Sequence, residues 1–486
     1  MAIYDINGNL IVSDENIVSI KTIKSEHPSY TDDQLLAAAI QLAQGKGQMA
    51  KIVWDGEDIH FSGSVTHVCK GFGGIDFNTS TIYMPNYDGG TIIRIEPDSA
   101  EDFSVSASDI YSTYTTNDQL KGKVFRINET YLGGNAEMCL GDRMPKATYN
   151  QVITVSPVIK TSLDGFYRTG ELFMTPTSGD VPCYNVHAFP DTTFEVCNAK
   201  VVTYAGSNMS RLLYCSRSNT HVHHFSTSGR STVSTYHDGV IRFQACSDIE
   251  IDHIYGENPI QEALTSGYIF SLTQVSNVYV HDVAIGDNIG WGAVGTHFIT
   301  NSVFERCYLS RWDSHYAQMG YNVIRDCVLN RVMYAVGNGT LLVENSTLIL
   351  SRYASNYVYG IITLRDDIVG AFDGDIIIRN CDILPGKQPV NKVGIFDDTC
   401  KYAKPANSAY DLAPKRRRFI SKCRIPDGCN YVFATGTATT ADQSMFANLT
   451  YNIEDTIVGS GTTIMSVLGG QSATDAAATD YHKKIG

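Results

Sequence analysis

One phrase of alternating apolar and polar positions returns along the second half of the chain: SNTHVHHF, SDIEIDHI and SNVYVHDV, whose last residues Phe225, Ile254 and Val283 are 29 residues apart. Carrying that register in both directions gives a column of ten: Ala199, Phe225, Ile254, Val283, Cys307, Cys327, Ser346, Cys381, Cys423 and Thr456, with steps between 19 and 42 residues. Three residues before each member stands Val196, Val222, Ile251, Val280, Phe304, Ile324, Val343, Ile378, Ile420 or Ile453. All ten are apolar and nine are β-branched, which predicts a strand face turned inward. Two residues after each member comes Val201, Thr227, Gly256, Ile285, Leu309, Leu329, Leu348, Ile383, Ile425 or Val458, mostly apolar with polar residues between, so a second short strand follows.

Between the two strands inward positions sit three apart, which breaks the parity of a single strand. The residue before the column is Asn198, His224, His253, Asp282, Arg306, Asp326, Asn345, Asn380, Lys422 or Asp455. Six of the ten are Asn or Asp, the non-glycine types that best tolerate the left-handed conformation, so the spacing predicts a one-residue corner. Fixed strand phrases joined by loops of changing length are the sequence behaviour of a solenoid whose rungs stack strand on strand, a parallel β-helix. Cys307, Cys327, Cys381 and Cys423 then form a stack of small, buried, reduced side chains rather than a metal or disulfide set.

Near the amino terminus Thr31 and Gln34 make a capping box, Leu35, Ala38, Ala39 and Leu42 an apolar stripe, and Gly45 a stop, predicting a helix that covers the open end of the solenoid. The expected organisation is an amino-terminal segment with its capping helix over 1–60, rungs over 61–460 and a short tail over 461–486. With 43% hydrophobic and 18% charged residues the chain is folded rather than disordered. Its 37 basic and 51 acidic residues leave a net charge of −14, which opposes nucleic acid as a partner. No apolar run reaches the roughly 18 to 20 residues needed to cross a bilayer, and the opening MAIYDINGNLIVSDE has neither the basic nor the apolar region of a secretory signal. A soluble chain made without Sec export, with no membrane partner, is therefore expected. The 12 cysteines include no CxxC pair, and no metal or other cofactor is expected.

The ladder of Asn-rich corners and Cys, Val and Ile stacks resembles the pectate-lyase-like right-handed parallel β-helix superfamily. The segment HPSYTDDQLLAAAIQLAQGKGQMAKIVWDGEDIHFSGSV is similar to the opening of phage tailspikes and related glycan-cleaving β-helices. The resemblance covers about 28–460, with no register assignable between 90 and 190. It implies an all-β, right-handed parallel β-helix, a virion-borne extracellular protein of the phage tail, a bacterial surface polysaccharide as partner, and a homotrimer.

Chemistry on such a fold is assembled across rungs on the lateral wall. The densest polar cluster is Arg311, Trp312, Asp313, Ser314, His315 and Tyr316, and counting from the inward columns places His315 outward beside Gly295 and Tyr334. His315 as base, Asp313 as its carboxylate, Arg311 as charge neutraliser and Tyr316 as proton donor are the parts needed for β-elimination at a uronic acid. The Asp-x-His pair is also similar to the motif of β-helix mannuronan epimerases and alginate lyases, matching at Asp313 and His315. Hydrolysis needs two carboxyls instead, about 5 to 5.5 Å apart for retention or about 6.5 to 9.5 Å for inversion. Rungs are about 4.8 Å apart, so Asp287 with Asp313 is the pair considered first, then Asp238, Glu257 and Glu262. Trp312 and Trp291 are candidates to stack on sugars, and Arg242, Tyr334 and Arg331 complete the substrate-binding set. The run His221, His223, His224 is read as corner and wall structure rather than a metal site, and Lys415 to Arg418 as a basic patch or a solvated loop.

Overall fold

In the computed structural model, all ten corner residues adopt the left-handed conformation, with φ between 45° and 61°. The structure describes residues 14–85, 90–97, 192–202, 211–228, 240–256, 269–285, 294–309, 312–314, 318–329, 332–334, 340–349, 359–364, 375–385, 393–398, 416–435 and 449–467, together with short strand segments elsewhere. Two compact units divide the chain: Met1–Glu101 with His187–Ser271 and Tyr279–Ala293, and Asp102–Val186 with Leu272–Val278 and Val294–Gly486.

The first unit stacks Ile17–Ser19, Lys51–Val53, Gly74–Asp76, Phe194–Val202, Thr220–Ser228 and Ile241–Gly256 in parallel, each pairing with the next. A second parallel wall runs His67–Cys69, Thr91–Ile95, Arg211–Cys215 and again Ile241–Gly256, whose 16 residues serve both walls. The second unit has three parallel walls. The first runs from Val294–Glu305 through Gln318–Arg325, Thr340–Glu344, Asp375–Arg379 and Arg416–Ser421 to Leu449–Glu454. The next is the narrow stack from Tyr308–Leu309 to Ile457–Val458, and the third runs from Trp312–Ser314 to Met465–Val467. The strands Phe103–Ser106, Lys123–Ile127, Gln151–Val155 and Pro182–Asn185 pair antiparallel instead, in the stretch where the sequence offered no register. The architecture is the parallel β-helix that the corner column predicts, of the class the resemblance implies.

Every member of the ten-residue column is buried, as is every residue three positions before it. Cys307 and Cys327 are vertical neighbours: Tyr308 and Leu309 pair with Val328 and Leu329, and the Cys307 amide lies 3.3 Å from Cys327 Sγ. A second left-handed corner, five residues earlier at Asn219, Asp248, Asn277 and Asn301, escaped the sequence reading.

The capping helix Asp32–Lys46 forms with its Thr31–Gln34 box complete and packs on the strands Ile17–Ser19, Lys51–Val53 and His67–Cys69. It stops at Gly47, whose φ of 89° takes the chain out of the helix, not at Gly45. Its buried face is Leu35, Leu36, Ala39, Ile40 and Ala43, leaving Leu42 exposed, a rotation of the predicted stripe toward Leu36 and Ile40. A preceding helix, Ile20–Glu26, capped by Ser19, was not anticipated.

Candidate functional site

Outward positions on either side of an inward strand residue lie above their counterparts in the next rung. In the first unit this alignment builds a wall of acids and imidazoles from the recurring phrases themselves. Glu195 pairs with His221, and His221 with Glu250; beside them Cys197 pairs with His223, and His223 with Asp252. The rung that follows contributes Tyr279, His281 and the corner Asp282.

Two knots of hydrogen bonds organise the wall. Glu195 accepts from His223 Nε2 at 2.8 Å and from Lys51 Nζ. The His223 bond, helped by Lys51, outweighs partial burial and holds the Glu195 carboxyl down to about 2. Gly74 sits under this knot, because a Cβ there would meet the Glu195 carbonyl oxygen at 2.2 Å. The second knot centres on Asp252, only 5% exposed, which bonds His221 Nε2 through Oδ2 and His253 Nδ1 through Oδ1. Burial pushes its carboxyl up, but the bonds from His221 and His253 outweigh it, and the group stays below its ordinary value. His281 places Nδ1 2.7 Å from Asp282 and Nε2 3.2 Å from Glu250. Burial pulls its imidazole down, yet these two contacts prevail and raise it.

At the corner the His224 and His253 rings stack, with centroids 4.5 Å apart and planes 3° from parallel. Burial and the neighbouring His223 and His253 lower the pKa of His224. Such a wall can hold ionised carboxylates beside proton-carrying imidazoles, and it offers hydrogen bonds to the hydroxyls of a sugar. The ligand atoms of His221, Glu250 and Asp252 also lie within 4.8 Å of one another, as do those of Glu195, His221 and His223.

The residues singled out from the sequence fare differently. Arg311, His315, Tyr316, Asp287, Trp291 and Arg331 lie outside the described residues, as do Asp238, Glu257, Glu262 and Lys415. The backbone of Asp313 pairs with Gly295 and Met333, so Gly295 stands opposite Asp313 and not beside His315 as counted. The count slipped by two residues, one of them where the pairing shifts between Thr300 and Ser302 around the corner at Asn301 and the other between Thr296 and Ile299. Trp312 is fully buried, its ring edge-on to Phe304 at 5.8 Å, which removes it as an exposed platform for a sugar. Tyr334 ends the strand Val332–Tyr334. Arg242 is half-buried and pairs with Tyr214 on the other wall of the first unit, away from His221 and Asp252. The described part of the basic run, from Arg416, is strand rather than loop: Arg418 is buried and Arg417 bonds Asp375 through two nitrogens at 2.6 and 3.0 Å.

The wall of the first unit was missed as a site, although His221, His223, Glu250, Asp252 and His281 stand in the repeated phrases. The available signal was that outward positions of three successive phrases carry only His, Asp, Glu and Tyr.

No protein-family model matches the sequence. Over 99 residues the chain is 34% identical to a capsule KL64-specific depolymerase of Klebsiella phage P510, a match spanning 20% of this chain and 10% of that protein. Among solved structures it is similar to the Gp54 tailspike of Acinetobacter baumannii bacteriophage AP22, solved with a capsular saccharide, at a TM-score of 0.50 and 12% identity over 99% of this chain and 82% of that one. The Pseudomonas phage phi297 tailspike gp61 aligns over 94% of this chain and 81% of its own, with 12% identity and a TM-score of 0.40. The resemblance carried by the corner ladder and the capping helix therefore holds: this chain has the parallel β-helix fold of phage tailspikes.

Proposed function

We propose that the chain is the body of a phage tailspike that binds a bacterial surface polysaccharide, a capsule, exopolysaccharide or O-antigen, and cleaves its glycosidic bonds. The observation that carries this reading is the wall of rung-stacked acids and imidazoles around Asp252 and Glu195. A row of ionised and proton-carrying groups repeating every rung, about 4.8 Å, suits an extended polymer better than a compact small molecule. The phage depolymerase and the saccharide-bound tailspike among its relatives support the substrate class and a place on the virion tail, outside the host cell.

For the reaction, β-elimination at a uronic acid assigns His315 as base, Asp313 and Arg311 as its electrostatic partners and Tyr316 as proton donor, with Trp291, Arg331 and Tyr334 lining the substrate. Hydrolysis is the second reading, with Asp287 and Asp313 as the sequence pair. The proximity of Glu250 and Asp252, with oxygens within 4.8 Å, adds a further carboxyl pair near the separation of retaining enzymes. Assembly as a homotrimer follows the habit of the resembled tailspikes.

Incubation with purified host capsule separates the readings. Shortened chains with the ultraviolet absorbance of an unsaturated uronate support elimination; new reducing ends without that absorbance support hydrolysis. Saturable binding to a polymer that keeps its length leaves a glycan-recognising tail protein without catalysis. His315→Ala at full activity removes the Arg311–Tyr316 cluster from either mechanism, and a solution mass of 53.4 kDa removes the trimer.

A further inference from the structure

The geometry points to a transition-metal site on this wall: we propose that His221, Glu250, Asp252 and His281 bind one Zn²⁺-class ion through two imidazole nitrogens and two carboxylate oxygens. The inference shares Glu250 and Asp252 with the wall proposed to meet the polysaccharide, but its test reads metal binding and not cleavage, so either reading can fail without the other.

Three successive rungs supply the donors. His221 comes from Thr220–Ser228, Glu250 and Asp252 from Ile241–Gly256, and His281 from the rung after it. Zinc bonds to nitrogen and oxygen are about 2.0 to 2.2 Å long, so tetrahedral donors stand about 3.3 Å apart. His281 Nε2 is 3.2 Å from Glu250 Oε1 and 3.8 Å from Asp252 Oδ2, close to two edges of that tetrahedron. His221 Nε2 already touches Asp252 Oδ2, and a ring nitrogen of His221 lies within 4.8 Å of a Glu250 carboxylate oxygen. Closing the figure requires side-chain rotations that bring His221 and His281 onto the same ion.

The surroundings orient the donors. A metal-bound imidazole presents one ring nitrogen to the ion and donates the other N–H to an acceptor, usually a carboxylate. His281 does this with Asp282: Nδ1 is 2.7 Å from Oδ2, which leaves Nε2 facing Glu250 and Asp252. Asp252 is fixed in the same manner, its Oδ1 bonded by His253 so that Oδ2 faces His221 and His281. Asp252 is almost fully buried, whereas Glu250 keeps a side chain 46% exposed, so the site has a closed floor and an open side through which an ion enters. Two imidazoles select zinc, cobalt or nickel over magnesium and calcium, which prefer all-oxygen shells.

The test uses the full chain without a polyhistidine tag, stripped with chelator and titrated calorimetrically with ZnCl₂ at neutral pH. One equivalent is expected to bind and to raise the melting temperature. Glu250→Gln and His281→Gln, one half-exposed and one on the rung edge, should each weaken binding by about tenfold or more while leaving the circular dichroism unchanged. Co²⁺ in place of Zn²⁺ should give the visible absorption of a four-coordinate ion. The proposal is overturned if Zn²⁺ produces neither heat nor a melting shift, or if both variants bind as tightly as the parent. It is equally overturned if equimolar Mg²⁺ or Ca²⁺ displaces Zn²⁺.

Discussion

The two units build the same left-handed corner in two ways. In the first, the strand runs through the corners at Asn198, His224 and His253 as one element, as in Phe194–Val202 and Thr220–Ser228, with Ala199 opposite Phe225 and Phe225 opposite Ile254 beyond it, although Phe270–His281 stops before the corner at Asp282. In the second the strand is interrupted, and the column turns from Phe, Ile and Val to Cys307, Cys327, Ser346, Cys381, Cys423 and Thr456. Each of these short side chains donates to the carbonyl two residues earlier, from 2.7 Å for Ser346 to 3.2 Å for Cys307, Cys381 and Cys423. Four of them also accept where the ladder breaks: the amides of Cys307, Cys327, Cys381 and Cys423 reach Cys327 Sγ, Ser346 Oγ, Cys423 Sγ and Thr456 Oγ1 of the next rung, at 3.1 to 3.4 Å. An interrupted ladder leaves a buried N–H that must be satisfied, and a thiol or hydroxyl one rung away satisfies it. The thiols are therefore part of the hydrogen-bond ladder as well as filling.

That difference is open to a direct break. Ile254→Ser in the first unit should cost about 3 to 5 kcal/mol in urea unfolding, because it removes a packed side chain and buries a hydroxyl the continuous ladder has no use for. Cys327→Ser in the second should stay within about 1 kcal/mol of the parent, since the hydroxyl takes over both bonds. Equal losses at the two positions would show that the column is packing alone in both units. Cys327→Ala sharpens the point from the other side: it strands the Cys307 amide and should cost about 1 to 3 kcal/mol, well beyond the loss of a small sulfur's packing.

The fold was legible because the inward columns obey period two and the corner imposes one fixed exception to it. Val222, Phe225 and Thr227 suffice to place one rung, and their repetition places the rest. The second corner was equally present, as Asn219, Asp248 and Asn277 open the very phrases that were aligned, but their effect on parity shows only once the preceding wall is known. That is why the count toward His315 slipped and why Trp312, read as an outward aromatic, lies inside against Phe304. The role of the thiols was hinted by Ser346 and Thr456, whose hydroxyls packing alone would not select. The wall at Asp252 was harder to read. Its rungs each contribute a few polar residues from one strand, and the constellation exists only after stacking brings residues 29 to 31 apart together.

The units also differ in how acid should loosen them. In the first, Glu195 has its carboxyl held down to about 2 against an ordinary value of 4.5, so it contributes stability that is fully present above 4.5 and is lost as pH falls toward 2. Thermal melts across that window should show the parent losing its advantage over Glu195→Gln, with the two curves meeting near pH 2. A constant gap down to that pH would mean that the Lys51 and His223 contacts do not favour the ionised carboxylate.

The smallest effect tests the corners themselves, where one substitution should act with opposite sign in the two units. Lys422 turns its corner at a φ of 52°, a conformation that costs most side chains about 1 to 2 kcal/mol and Asn much less. Directly along the column Asn345 and Asn380 already form an amide rung, Nδ2 to Oδ1 at 2.9 Å. Lys422→Asn places a third amide next to Asn380 and should stabilise the chain by roughly 0.5 to 1 kcal/mol. His253 turns the equivalent corner in the first unit at a φ of 49°, but its ring stacks on His224 and its Nδ1 holds Asp252. His253→Asn gains the same backbone ease and loses both contacts, so its melting temperature should fall while that of Lys422→Asn rises. A rise in both would mean that the imidazole corner of the first unit is indifferent to its side chain. The orientation of Asp252, on which the wall depends, would then need another cause.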